Sequence, residues 1–178
     1  RRLETLLQAI VDASPECLKL VAADGTLVHM NPAGLAMIEA DTLDEVRGKP
    51  VIDLVAPEHR AAFQEATARA FRGESGTVRF EVVGLRGTRR WLETHAVLLE
   101  GPGAVTPVML GITRDISERK AAEDALRERE TLYRRLFENA PVGLGISDEQ
   151  GNLLAFNDAI RAPGGYSVED IQALGNVS

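Results

Sequence analysis

Side chains able to do chemistry are few in this chain of 178 residues, and they are scattered. His29, His59 and His95 lack the short spacing at which neighbouring turns present ligands to a metal ion, and Cys17 is the only cysteine. No glycine-rich phosphate loop follows a predicted strand, and no nucleophile stands beside a base. The pattern predicts surface or hydrogen-bonded histidines, and neither a catalytic site nor a metal site in this chain.

Asp115 stands where the hydropathy pattern changes from the period of a strand to that of a helix. In one interpretation its carboxylate binds the backbone or an arginine, Arg114 or Arg119, and fixes the direction in which the helix leaves the sheet. In the other it only caps the helix, a function that Ser117 shares. We favour the first interpretation and predict a signal junction formed by Asp115, Ile116, Ser117 and Arg119.

Two amphipathic helices are predicted from apolar residues at helical spacing, one at residues 1–13 and a highly charged one at residues 118–138. The apolar stripe of the second helix is too narrow to bury a globular core and suits packing along one partner helix. We therefore predict a homodimer held by these two helices. The predicted seam consists of Leu3, Leu6, Leu7, Ile10, Ala122, Leu126, Tyr133 and Leu136.

The composition is that of an ordinary globular protein, with 44% apolar and 26% charged residues. A net charge of −7 gives no clustered basic surface for nucleic acid. No apolar run is long enough to cross a membrane, and no signal peptide is visible. The lone Cys17 excludes an internal disulfide and fits a reducing compartment, so a cytoplasmic location is predicted.

Between the two helices, the hydropathy pattern predicts a hairpin, short helices, one longer helix and three antiparallel strands. The hairpin turns at Gly25, and further turns are predicted at Gly84–Gly87 and Gly101–Gly103. A helix is predicted to start at Asn31, which caps it. The predicted strands span residues 17–22, 26–30, 77–83, 88–99 and 105–116, and the longer helix spans residues 57–72.

Part of this order recurs 126 positions later, after which the register slips by one. The recurrence predicts four divisions: an N-terminal helix at 1–13, a complete unit at 14–117, a linker helix at 118–138 and the first part of a second unit at 139–178. The repeated residues are Pro15, Gly25, Leu27, Asn31 and Ala33, which return as Pro141, Gly151, Leu153, Asn157 and Ala159; Thr42–Val46 is then answered by Ser167–Ile171.

Four segments in this order resemble the PAS domain family: ADGTLVHMNPAG, LDEVRGKPVIDLVAPEHR, TRRWLETHAVLL and GITRDISERKAAE. The last contains Asp115-Ile116-Ser117, which is similar to the Asp-Ile-Thr signature of the family. The resemblance implies an α+β fold, with a five-stranded antiparallel sheet, short helices over one face and a small-molecule pocket between them. It also implies a sensory or dimerisation module that feeds a histidine kinase or a cyclic-dinucleotide enzyme, mostly in bacteria.

The resemblance also bears on cofactors, and none is predicted. In the flavin-based light sensors of the family, a cysteine after a Gly-Arg-Asn turn forms the photoadduct, whereas here Gly48-Lys49-Pro50 is followed by Val51. In the oxygen-sensing haem members, a histidine lies three residues after an arginine. Arg60 matches that arginine, and Phe63 stands at the ligand position, where it cannot bind iron.

A small-molecule ligand is expected between the helices and the sheet, although the same apolar residues could simply fill the core. The strand around Trp91 is apolar on both faces, which implies a cover from the N-terminal helix or from a second subunit. We predict a signal-relay module whose catalytic output domain lies outside this chain, and the alternative is a ligand-free dimerisation scaffold. The predicted pocket residues are Met37, Ile38, Leu54, Phe63, Phe80, Trp91, Leu92 and His95.

Overall fold

The computed structural model describes residues 1–100, 106–160, 167, 169, 170 and 173. The described chain divides into two compact units, Arg1–Lys120 and Ala121–Ser178. The turn predicted at Gly101–Gly103 and the predicted strand start at Val105 lie outside the described residues, as do Val168 and Ile171 of the second repeat.

The first unit contains the whole predicted order of helices and strands. A helix precedes the hairpin, two of the predicted short helices are 3₁₀ turns at 43–45 and 51–54, and a further 3₁₀ turn at 57–59 forms the start of the predicted longer helix. The elements are α1 (Arg2–Ala13), β1 (Cys17–Ala22), β2 (Leu27–Met30), α2 (Pro32–Met37), α3 (Arg60–Phe71), β3 (Gly76–Val83), β4 (Arg89–Leu99), β5 (Val108–Asp115) and α4 (Ser117–Glu138), the last of which continues into the second unit.

The five strands form one antiparallel sheet in the order β2-β1-β5-β4-β3, which confirms the predicted α+β fold and its five-stranded sheet. Local signals explain the first turns. Gly25 has a φ of 84°, and the Asp24 carboxylate accepts hydrogen bonds from the backbone N–H and hydroxyl of Thr26. Asn31 caps α2 by accepting from the N–H of Gly34, as predicted.

One face of the sheet builds the core, and strict alternation decides which side chains enter it. On β1, burial alternates so that Cys17, Lys19 and Val21 point inward. On β4, Leu92 and Thr94 are buried, whereas their neighbours on the other face are partly or fully exposed. Helix α2 packs on β1, and α3 packs on β3, β4 and β5, so that the helices cover this one face.

Helix α1 buries none of its side chains. Its four leucine and isoleucine residues of the predicted seam remain 53–66% exposed. The helix is therefore not a tight cover for the apolar outer face of β4.

The described part of the second unit repeats the beginning of the first. Its strands β6 (Gly145–Ser147) and β7 (Leu153–Phe156) form an antiparallel hairpin. Gly151 has the same φ of 84° as Gly25. The backbone N–H of Ser167 donates to the Asp170 carboxylate, and the backbone N–H of Asp170 donates to the Ser167 hydroxyl, as in a capping box.

Candidate functional site

A cavity of about 520 Å³ opens between β1, the hairpin turn and α3. Its volume is in the range of small-molecule sites. Most of its wall is apolar, and Asp24, Gln64 and Thr67 add polar groups. The full lining is Val21, Ala23, Asp24, Gly25, Pro50, Ile52, Phe63, Gln64, Thr67, Ala68, Phe71 and Pro107.

The predicted pocket residues are distributed over three places. Phe63 lines the cavity. Ile38, Phe80 and Leu92 are buried in the core, and Met37 packs at its edge. Leu54 also packs on the core and lines a second, smaller cavity of about 280 Å³ beside Met30, Val46 and Val51.

Trp91 and His95 were predicted to line the pocket, but they do not face the cavity. They alternate with the buried Leu92 and Thr94, and therefore lie on the opposite face of β4. His95 is exposed and shares a hydrogen bond of 3.3 Å with the hydroxyl of Thr77. The prediction failed for these two residues because a strand that is apolar on both faces does not reveal which face is inside.

A row of polar side chains crosses the core face of the sheet, and the sequence analysis missed it. Lys19 on β1, Thr113 on β5 and Thr94 on β4 are each at most 4% exposed. The Lys19 ammonium donates to Thr113 Oγ1 at 3.3 Å, and the two threonine hydroxyls lie 2.7 Å apart. The signal was the alternation in CLKLVA, which places Lys19 on the same face as Cys17 and Val21.

The Lys19 ammonium lies near two aromatic rings. It lies 5.6 Å from the ring centre of Phe80 and 5.9 Å from that of Phe63. Burial lowers the pKa of Lys19 below its ordinary value of 10.5. Burial likewise raises the pKa of the Cys17 thiol, which keeps it protonated and unreactive at neutral pH.

The sheet is joined to α4 through Asp115 and the first residues of that helix. The Asp115 carboxylate accepts from the N–H of Ser117 at 2.9 Å and pairs with Arg90 at 3.1 Å. Burial alone would raise the pKa of Asp115, but the hydrogen bonds from Ser117 and Arg90 outweigh it, so the pKa lies below its ordinary value. The carboxylate therefore both caps α4 and holds an arginine.

The arginine partner differs from the two that were proposed. Arg90 lies on β4, the neighbouring strand, where the register pairs Leu92 with Asp115. Arg114 instead pairs with Glu16, and Arg119 pairs with Glu93 on β4 at 3.4 Å. A cross-strand partner depends on sheet register, which the local sequence does not give.

Trp91 is the centre of this junction, although it was predicted for the pocket. Its backbone C=O accepts from the N–H of Ile116 at 2.8 Å, and its N–H donates to Ser117 Oγ at 3.0 Å. Its ring lies 5.3 Å from the Lys120 ammonium and packs edge-on against His59 at 4.8 Å. The first turn of α4 is thus fixed to β4 by backbone and side-chain contacts together.

Asn31 does more than cap a helix. Its Oδ1 accepts from the N–H of Leu18 as well as from Gly34, and its Nδ2 donates to the C=O groups of Val11 and Glu16. The side chain is 1% exposed. It therefore ties the end of α1, the start of β1 and the start of α2 together.

Asn157 makes the corresponding contacts in the second unit. Its Nδ2 donates to the C=O groups of Phe137 and Val142, and its Oδ1 accepts from the N–H of Leu144. It is fully buried. The three partners lie 126 positions after Val11, Glu16 and Leu18, so the repeat reproduces the hydrogen bonds as well as the residue types.

One cluster offers ligand atoms of the kind that bind a metal ion. Atoms of Glu58, His59 and Glu81 all lie within 4.8 Å of one another. However, the Arg89 guanidinium already bonds both carboxylates, at 2.5 Å to Glu58 and 2.7 Å to Glu81. These contacts raise the pKa of Arg89 further above its ordinary value, so a fixed positive charge occupies the place of a cation.

The predicted dimer seam lies on exposed helix surfaces. The apolar side chains of α1 protrude, and so do those of α4. On α4 the exposed fractions are 58% for Leu126, 53% for Tyr133 and 65% for Leu136, and Ala122 is exposed too. Among the described residues, no helix is long and apolar enough to cross a membrane.

The residues around the cavity do not suit either of the two cofactor attachments considered. Val51 is buried in a 3₁₀ turn and has no sulfur for a flavin adduct. Phe63 packs its ring edge-on against Phe80, with ring centres 4.8 Å apart, and offers no iron ligand. Cys17 lies on β1 and is buried.

Comparisons with known proteins identify the same fold that the five-stranded sheet and its helices show. The family model described as PAS fold matches residues 11–121. A blue-light-activated histidine kinase of Brucella ovis is 38% identical over 86 residues, which is 47% of this chain and 17% of that protein. The sensor protein FixL of Bradyrhizobium diazoefficiens is 30% identical over 120 residues, 67% of this chain and 23% of that protein.

Among solved structures, a sensory box histidine kinase/response regulator from Burkholderia thailandensis superposes with a TM-score of 0.55 at 24% identity. The match covers 73% of this chain and 98% of that structure. The chain spans less than a quarter of the length of the two curated relatives, so it corresponds to a part of proteins of that size.

Proposed function

The chain belongs to the PAS fold family, and from that premise we propose that its first unit is the sensory module of a multidomain bacterial signalling protein. In this proposal the state of a ligand or partner is relayed through α4 to a downstream output domain, a histidine kinase or a cyclic-dinucleotide enzyme. The relatives that carry kinase names support the first of these outputs.

One observation carries the proposal: β4 contacts both the core and the first residues of α4. Leu92 and Thr94 face the core, whereas Trp91 and Glu93 contact Ser117, Arg119 and Lys120. Helix α3 lines the cavity and packs on β4, so an occupant that moved α3 would shift β4 and displace the first turn of α4. For this to be a relay, the two positions of α4 must differ in their affinity for the occupant.

The far end of α4 supports the same proposal. The C=O of Phe137, in its last turn, is held by the buried Asn157 of the second unit. Phe137 and Asn157 both belong to the second unit, so this hydrogen bond ties the last turn of α4 to the hairpin of that unit.

We further propose that the module works as a homodimer in the cytoplasm. The stripe of Leu126, Tyr133 and Leu136 on α4 is more than half exposed, as is that of α1, and packing along the same helix of a second copy would cover either stripe. The free, buried Cys17 is compatible with a reducing compartment.

The experiment is disulfide crosslinking along α4 in a Cys17→Ser background. Leu126→Cys and Tyr133→Cys place thiols on the stripe, and Thr131→Cys places one about half a turn away as the control. The relay predicts that crosslinking at the stripe changes when Trp91→Phe alters the junction, while the control stays uncrosslinked. Identical crosslinking in both backgrounds would contradict the relay.

A ligand-free dimerisation scaffold is the second candidate, and the exposed stripes favour it equally. The two candidates differ in what the cavity holds. An absorption spectrum and a native mass spectrum of the freshly purified protein distinguish them, because the scaffold predicts no co-purified molecule.

A further inference from the structure

Lys19 is a buried lysine for which the described residues provide no counter-ion. Its side chain is 4% exposed, and none of the described carboxylates lies within the 4.0 Å of an ion pair. Of its three N–H donors, one reaches Thr113 Oγ1 at 3.3 Å, which is a long hydrogen bond. A charge in this position carries a desolvation cost that its neighbours only partly offset.

A glycine on the neighbouring strand leaves space for the Lys19 side chain. Gly111 is the direct cross-strand partner of Lys19 on β5. A Cβ at position 111 would lie 2.9 Å from Lys19 Cε and 3.2 Å from its Cγ, so any larger residue there would displace the lysine stem. The glycine therefore leaves the room in which the stem lies across the sheet toward Thr113.

Lys19 lies beside the 520 Å³ cavity. Val21, the next inward residue of β1, is part of the cavity wall. Phe63 is shared: its ring lines the cavity, and its centre lies 5.9 Å from the Lys19 ammonium. Lys19 does not itself line the cavity, and the Phe63 side chain is the contact that the cavity and the ammonium share.

We propose that the cavity takes a small carboxylic acid with an apolar body, whose carboxylate pairs with Lys19 once the Phe63 side chain has moved aside. This inference rests on the sensory role proposed above and names the chemical class of the ligand. The carboxylate would accept from the ammonium and from the hydroxyls of Thr94 and Thr113, which lie 2.7 Å apart. The apolar body would lie against Val21, Ile52 and Phe71.

A neutral ligand would fill the same cavity but would leave the ammonium without a counter-ion. A cationic ligand would be repelled by Lys19. Asp24, at the hairpin turn, also lines the cavity and repels a carboxylate, which orients the acid with its charged end away from Asp24 and toward Lys19.

The test measures binding of octanoate and octan-1-ol to the full chain by isothermal titration calorimetry. The two probes share an alkyl chain and differ in charge. We expect octanoate to bind about 10- to 100-fold more tightly, as a charge-assisted hydrogen bond provides. Lys19→Met should remove this preference, whereas Lys49→Met, which removes an exposed lysine, should keep it.

Equal affinity for the two probes in the wild-type protein would overturn the proposal without any variant. So would an unchanged preference in Lys19→Met, or failure of octanoate, phenylacetate and hexanoate all to bind. Binding that follows the expected pattern while α4 crosslinking stays unchanged would leave this inference standing and contradict the relay instead.

Discussion

Replacing Asn31 with alanine should destabilise the first unit more than any single surface change. The side chain makes four hydrogen bonds while being 1% exposed. Alanine removes all four and leaves the N–H groups of Leu18 and Gly34 and the C=O groups of Val11 and Glu16 without this partner. It also removes the cap of α2.

The expected loss follows from the four partners. Each hydrogen bond contributes about 0.5–1.5 kcal/mol net, and a buried partner left unsatisfied costs about 1–3 kcal/mol. Gly34 is buried, so water cannot replace the lost acceptor there, whereas Val11 lies near the surface at the end of α1. We therefore expect the free energy of unfolding to fall by about 3–5 kcal/mol, a large part of the stability of a small domain.

Urea unfolding followed by tryptophan fluorescence is the suitable assay. Trp91 is the only tryptophan and belongs to the first unit, so the signal reports that unit. Asn152→Ala, at an exposed turn of the second unit, is the control and should leave the transition unchanged. A loss below about 1 kcal/mol for Asn31→Ala would show that the side chain is not the link between α1 and the sheet inferred here.

Three further predictions concern the lysine, the junction and the seam. Lys19→Met should stabilise the ligand-free protein by about 1–3 kcal/mol, because an apolar side chain replaces a polar group that is buried with one long hydrogen bond. Burial lowers the pKa of Lys19, so as the pH falls from about 10.5 toward the folded pKa, this lysine is protonated in the unfolded chain before it is protonated in the folded protein. The wild-type protein should therefore lose stability over this pH range. In urea titrations of both proteins, the Lys19→Met variant should not show this loss. Asp115→Asn should lower the free energy of unfolding by about 1 kcal/mol at pH 7, since asparagine still caps α4 but loses the charge pair with Arg90. The folded pKa of Asp115 is lowered, so the stability that its carboxylate contributes is present above about pH 3.8 and is lost as the pH falls through the folded pKa. The difference between the two proteins in thermal melts should therefore shrink in acid. Leu126→Glu places a charge on the exposed apolar stripe of α4 and should shift the protein toward monomer in sedimentation experiments. The control Thr131→Glu should leave the dimer unchanged. A dimer that persists with Leu126→Glu would show that α4 is not part of the seam.

The sequence predicted those features that depend on local pattern. Alternation and turn residues such as Gly25 gave the five strands, and the period of α4 gave its helix. Repetition at a constant offset led to the second hairpin. These features need only neighbouring residues, which is why no tertiary information was required.

Features that depend on register or on which face is inside were not predicted. Arg90 reaches Asp115 only because β4 and β5 pair Leu92 with Asp115. Trp91 and Leu92 are equally apolar, so the sequence could not say which of them meets the core. Lys19 was missed for a different reason: a lysine in a strand is ordinarily assigned to the surface, and here the alternation should have outweighed the residue type.

The strengths of the contacts along α4 bear on how a relay through it could work. Within the helix every turn is held by successive backbone hydrogen bonds, and a break inside it would leave several of them unmade. At the junction, by contrast, Arg90 and Arg119 contribute partly exposed ion pairs, each of about 1 kcal/mol or less. A displacement of β4 would therefore be relieved by re-pairing at the junction before the helix itself unwound. Such re-pairing gives a small number of discrete helix positions rather than a continuous bend, which is the property that a two-state relay requires.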